Sequence, residues 1–178
     1  MQIRPATLED VPGIARVHVA SWRTTYVGIM PDELLATLSE ERRAVQWTRA
    51  LTEQAEHNVL YVAVDESGVV VGFANGGPER DAVEGYDSKL HAIYLLQGVQ
   101  RQGIGRKLTS AIARELHNRG YTRMMLWVAR DNEPSRRFYE AIGGTYITEK
   151  VETIGTTELA EVAYGYEIRS LVETLEAH

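Results

Sequence analysis

The chain contains no cysteine, which at once excludes disulfides, thiolate metal sites and a cysteine nucleophile. Its five histidines, His18, His57, His91, His117 and His178, show no HxxxH or HExxH spacing, so no metal is expected. No stretch approaches the ~18 apolar residues of a membrane span, and Met1 to Asp10 lacks the apolar core of a signal peptide. The expectation is a cytoplasmic protein with no membrane partner. An excess of basic residues is missing too. The formal net charge of -6 removes any general electrostatic case for nucleic acid. What is present is ordinary: 178 residues, 44% hydrophobic and 25% charged. That is enough for one domain over residues 1–178 with a real core.

The periodicity changes along the chain. Gln2 to Ala6 reads as a strand, and Thr7 with Asp10 as a capping box ahead of a helix carrying Ile14, Val17, Ser21 and Trp22. Pro31 and Ser39 open two further helical stretches. Val59 to Val64 and Val69 to Ala74, joined through Gly68, predict a hairpin. Gly76 to Lys89 reads as a loop, and Leu90 to Leu96 as an apolar strand buried on both faces. A helix from about Gly105 to Asn118 follows, with Leu108, Ile112 and Leu116 at i, i+4 and i+8. Arg123 to Val128 reads as a strand, Asn132 to Gly143 as a short helix, and Tyr146 to Thr153 and Leu159 to Ile168 as a closing pair of strands. The pattern indicates an α/β (α+β) domain with a mixed sheet.

The informative segment is the turn Gln100-Arg101-Gln102-Gly103-Ile104-Gly105, between a strand and an amphipathic helix. A glycine turn at a helix start presents backbone N–H groups where the helix is partially positive, which suits a phosphate or pyrophosphate. Arg101, Arg106 and Lys107 make this stretch basic within an acidic chain. A Walker loop is excluded, because Ile104 stands where its lysine belongs. A dinucleotide fingerprint is excluded, because Leu108 stands where its third glycine belongs. On these residues alone, a plain tight turn remains the other reading.

The sequence resembles the GNAT superfamily of acetyl-CoA-dependent N-acetyltransferases, whose hallmark Q/R-x-x-G-x-G/A is matched by Gln100, Gly103 and Gly105. Ile3 to Thr7 followed by Glu9-Asp10 resembles the family's opening, and Asn132 to Gly144 its second cofactor motif. The resemblance implies a central, mixed, mostly antiparallel twisted sheet, splayed between strands 4 and 5 and flanked by about four helices. It implies acetyl-CoA as co-substrate. The pantetheine arm would lie along Tyr94 and Leu95, the pyrophosphate on the amides from Arg101 to Arg106, and Asn132 and Ser135 beside the arm. Asn132 reads equally as a helix N-cap.

For the chemistry, the resemblance assigns Tyr139 as general acid for the departing thiolate; a packed core tyrosine is the alternative. The general base stays open. His91 and the loop acids Glu79, Asp81, Glu84 and Asp87 are the candidates, and each also reads as structural or solvated. Trp22 and Tyr26, at i and i+4, read either as acceptor pocket or as core. The acceptor would be a small-molecule amine or a protein amino group. A non-catalytic acyl-CoA-binding or sensor domain is the alternative function, and the family resemblance leaves a homodimer open.

Overall fold

A computed structural model of the chain describes residues 1–177. Strand β1 (Gln2–Pro5) leads into helices α1 (Val11–Thr25), α2 (Asp32–Ala36) and α3 (Glu40–Thr52). Strands β2 (Val59–Val64), β3 (Val70–Pro78) and β4 (Ser88–Leu95) follow, then α4 (Ile104–Asn118), β5 (Arg123–Ala129) and α5 (Glu133–Ala141). The hairpin β6 (Thr145–Ile154) and β7 (Thr157–Glu167) and helix α6 (Ile168–Glu176) complete the chain. The strands form one sheet in the order β1-β2-β3-β4-β5-β7-β6, in which every neighbouring pair is antiparallel except β4–β5.

Helices cover both faces of the sheet. On one, Leu108, Ile112 and Leu116 of α4 are fully buried, together with Ile168 and Leu171 of α6, against Leu126, Val128 and Tyr164. On the other, Ile14 and Val17 of α1 and Trp47 of α3 pack on Val62 and Phe73. The i, i+4, i+8 leucine and isoleucine stripe of α4 therefore does what its period demands. Among the described residues, no helix is long and apolar enough to cross a membrane.

Three expectations need correction. Six helices flank the sheet, where about four were expected; α6 had a signal in Ile168, Leu171 and Leu175, spaced along one helical face behind the N-cap Glu167. The segment from Gly76 is not a loop until Pro78, because β3 runs through it. Its glycines serve close packing: a Cβ on Gly76 would meet Ile112 Cγ2 at 2.7 Å, and one on Gly77 the His57 carbonyl oxygen at 2.4 Å. Finally, β4 is not buried on both faces. Leu90 is buried, but His91 is exposed and Ala92 to Leu96 only half-buried, since β5 has moved away from them.

The amino-terminal joint is a charged one. Asp10, 6% exposed, accepts 2.7 and 2.8 Å hydrogen bonds from both Nη atoms of Arg4 and a 2.8 Å bond from the Thr7 N–H. The Arg4 guanidinium, with the Thr7 amide, holds the Asp10 carboxyl below the ordinary carboxylate range. A lowered value stabilises the fold above that range, and the contribution is lost as pH falls through the folded-state value. Asp10→Ala is expected to lower the unfolding free energy by about 1–2 kcal/mol in urea titrations, since the partly exposed Arg4 guanidinium regains water when its partner is lost.

Candidate active site

The glycine turn follows a single 3₁₀ turn at Gln97–Val99. Gln100 is extended, Arg101 has φ 60°, and Gly103 has φ 76° as the residue that opens α4. Left-handed residues placed this way curl the chain so that successive N–H groups converge, forming an anion nest. Among the described residues, none of the amides from Arg101 to Arg106 donates to a protein acceptor. No side chain caps α4 and its first turn holds no acid, whereas Ser39, Asn132 and Glu167 cap α3, α5 and α6. The start of α4 is thus left bare, with six backbone donors unpaired.

The side chains of the turn are structural braces. Gln100 Nε2 donates to the Leu95 carbonyl at 3.3 Å, and Gln102 Nε2 to the Gly98 carbonyl at 3.3 Å. Ile104 is buried and anchors the turn in the core. The Arg106 guanidinium reaches the Leu175 and Thr174 carbonyls at the end of α6, so Arg106 offers the turn its amide.

The turn opens onto a gap in the sheet. Strands β4 and β5 pair only at Ser88↔Met124 and Lys89↔Met125 and then diverge. Leu96 donates its N–H to Val71 in β3. By antiparallel alternation, Tyr94 and Ala92 also turn their backbones to β3, which leaves those of Ile93 and Leu95 facing the gap. The free strand edge therefore consists of Ile93 and Leu95, and Tyr94 presents its ring to the α1 side. The Leu95 carbonyl is already bonded, by Gln100 and by Ser21 Oγ at 3.2 Å.

The resulting cleft of about 620 Å³ gathers most of the residues singled out from the sequence: Tyr26, His91, Tyr94, Leu95, Gln100, Arg101, Gly103, Gly105, Arg106, Asn132, Ser135 and Tyr139. Gln102, Ile104 and Trp22 do not line it. Asn132 Oδ1 accepts the Ser135 N–H at 3.3 Å, so it is an N-cap at the cleft wall. Tyr139 is 7% exposed, and its phenol oxygen makes no hydrogen bond within the described protein. Burial, with the nearby Tyr94, raises its pKa, so the phenol stays protonated at neutral pH.

Beyond the gap, on the α1 side, Trp22 packs tilted against Tyr26 at 4.5 Å between centroids and carries the Arg43 guanidinium at 5.6 Å. His18 stacks on Tyr94 at 5.1 Å and accepts the Trp47 indole N–H at 3.1 Å. His91 sits at the cleft mouth, where desolvation and the charges of Lys89 and Arg80 push its pKa down to about 4. It is neutral near pH 7 and a feeble base. Three of the four loop acids are tied up: Asp81 binds Lys89 at 2.5 Å and the Trp127 indole at 3.0 Å, Asp87 binds the amides of Thr122 and Arg123, and Glu79 binds those of Asp81 and Val83. The fourth, Glu84, is exposed and does not line the cleft.

The sequence reading passed over Glu161 on β7. Its Oε2 is buried without a hydrogen-bond partner, and burial together with Glu152 pushes its pKa up to about 7. A signal was present: Glu161 lies two residues from each of the buried Leu159 and Ala163, on the same face of the strand.

A strand–turn–helix with a bare helix end thus opens on a splay between parallel strands and on a buried tyrosine. The model of the acetyltransferase (GNAT) family matches residues 21–144. The uncharacterized N-acetyltransferase YuaI of Bacillus subtilis is 42% identical over 97% of this chain and 96% of its own. The chain belongs to the GNAT family of acetyltransferases. Its fold is similar to those of the PaiA N-acetyltransferase of Thermoplasma acidophilum in complex with coenzyme A (TM-score 0.69, 22% identity, 93% of this chain and 98% of that one) and of a phosphinothricin acetyltransferase of Sinorhizobium meliloti in complex with acetyl-CoA (TM-score 0.68, 21% identity, 93% and 87%).

Proposed function

We propose that the protein moves the acetyl group of acetyl-CoA to a primary amine, by direct transfer with both substrates bound. The observation that carries this is the run of six unpartnered amides, Arg101 to Arg106, opening straight onto the unpaired edge of β4. The donor set fits acetyl-CoA: fixed N–H dipoles suit a pyrophosphate, and a free strand edge suits an amide-bearing arm. Ile93 and Leu95 hold that arm as an added strand would be held, and the Leu95 N–H polarises the carbonyl to be attacked. Tyr139 delivers the proton the thiolate needs as it leaves. The acceptor is a small-molecule amine or a protein amino group, entering from the Trp22–Tyr26 side.

Release of free coenzyme A from acetyl-CoA, followed across a panel of polyamines, amino acids, aminoglycosides and peptide amines, tests this. At least one amine is expected to raise thiol release about a hundredfold over buffer, the usual scale of positioned acid–base catalysis. Binding of acetyl-CoA with no amine-dependent release establishes the alternative, a sensor domain of the same fold.

A further inference from the structure

We propose that Glu161 is the group that takes the proton from the acceptor's ammonium, an inference that rests on the acetyltransferase reading above. Glu161 lies in register with Ala129 of β5 and Lys150 of β6. It shares the α1 face of the sheet with Trp127, which lines the cleft beside Tyr26 and Tyr94. Lys150 links Glu161 to Trp127, with Nζ 3.7 Å from Glu161 Oε2 and 4.4 Å from the centre of the Trp127 ring. Glu161 thus lies on the α1 face, the side from which this reading brings the acceptor, behind Trp127 of the cleft wall, and does not itself line the cleft. Tyr139 packs on the opposite face of the sheet, so the two proton-handling groups are separate and can act on nitrogen and sulfur independently.

Its surroundings leave one position open. The side chain is 16% exposed, and Lys150 Nζ stands 3.7 Å from Oε2, too far for a hydrogen bond. Lys150 is shared with Glu152 at 3.4 Å and lies over the Trp127 ring at 4.4 Å. Lys89, the other ammonium facing this corner, is held by Asp81. Three carboxylates, Asp81, Glu152 and Glu161, thus face two lysines in this corner. A buried carboxylate oxygen without a donor is costly. A cationic amine, or a water bridging to one, supplies the missing donor; Glu79, Asp81 and Asp87 are already bonded, and Glu84 is exposed outside the cleft. The N–H bond of the ammonium breaks, its proton passes to the Glu161 carboxylate and then to solvent, and the neutral amine attacks. The second N–H proton, released as the C–N bond forms, balances the proton Tyr139 gives the thiolate.

The charges make the test specific. With the best amine of the panel, kcat/KM of the wild type is expected to fall tenfold per pH unit below neutrality. Glu161→Gln should lower kcat/KM at pH 8 about a hundredfold and abolish that limb, with acetyl-CoA affinity kept. Glu152→Gln removes a group that raises the Glu161 pKa and should move the limb to lower pH, while Lys150→Met should move it higher. In the free protein, ¹³C NMR of labelled glutamate should show one carboxyl titrating near neutrality, missing from Glu161→Gln. An active wild type beside a Glu161→Gln variant of equal rate and unchanged profile overturns this inference alone. A wild type that acetylates nothing overturns the acetyltransferase reading with it. If Glu161→Gln does not fold, an unmoved limb in Glu152→Gln is the overturning result.

Discussion

Gly103→Val is expected to weaken acetyl-CoA binding about a hundredfold while leaving the protein folded. At φ 76° this residue sits in the left-handed region, where a β-branched side chain costs about 1–2 kcal/mol. A Cβ there would meet nothing within 4 Å, so the effect does not come through core packing. It comes through the turn: relieving the strain rotates the peptide planes on both sides of residue 103 and swings their N–H groups off the shared focus. Losing two hydrogen bonds to a charged group, at about 1.5 kcal/mol each, gives about 3 kcal/mol, or roughly two orders of magnitude in affinity. Isothermal titration with acetyl-CoA measures it. An unchanged Kd would mean that the amides of Arg101 to Arg106 do not hold the phosphates. Gly105→Ala is the internal control, because its Cβ would reach Phe138 and Leu95 only at ordinary contact, 3.5 and 3.6 Å, without strained backbone.

Tyr139→Phe is expected to lower kcat about a hundredfold, some 2.7 kcal/mol in barrier, with acetyl-CoA affinity within about threefold of wild type. The substitution is clean because the phenol oxygen has no partner in the described protein, so its removal strands no buried donor or acceptor. The ring keeps its edge contact with Phe138, and the backbone carbonyl of residue 139 keeps its bond from the Tyr166 hydroxyl at 3.0 Å. Burial has raised the phenol pKa, so the proton is present throughout the working range. It is given up only to a base made strong by the same desolvated gap. Single-turnover measurements with saturating acetyl-CoA separate the chemical step from binding. An unchanged rate would reduce Tyr139 to a wall of the cleft.

Much of the fold was legible before any coordinates. The α4 stripe, the β2–β3 hairpin and the Asn132 cap are local patterns with one physical solution each, and the chain adopts them. The failures have a common cause. Gly76 and Gly77 read as a loop because glycine usually breaks strands, yet here they are small so that α4 and the His57 backbone can come close. That reason lies in residues 36 and 20 positions away. Helix α6 was missed although its spacing was there. Tyr94 was chosen for its backbone where Ile93 and Leu95 face the gap, because the register of β4 on β3 is a tertiary fact.

The sequence by itself determined the form of the turn: two glycines in a basic neighbourhood ahead of an amphipathic helix, since φ preferences and helix periodicity are local. It also determined the family. Only the tertiary structure decided what the turn opens onto. Two residue pairs hold β4 to β5 and the rest of the two strands part, so an unpaired edge and Tyr139 meet the amides in one cleft. It alone decided that Glu161, 22 residues beyond Tyr139 and on β7 rather than α5, shares a face of the sheet with Trp127 of the cleft wall. Burial, register and the sharing of Lys150 with Glu152 are properties of packed neighbours, and no local pattern encodes them.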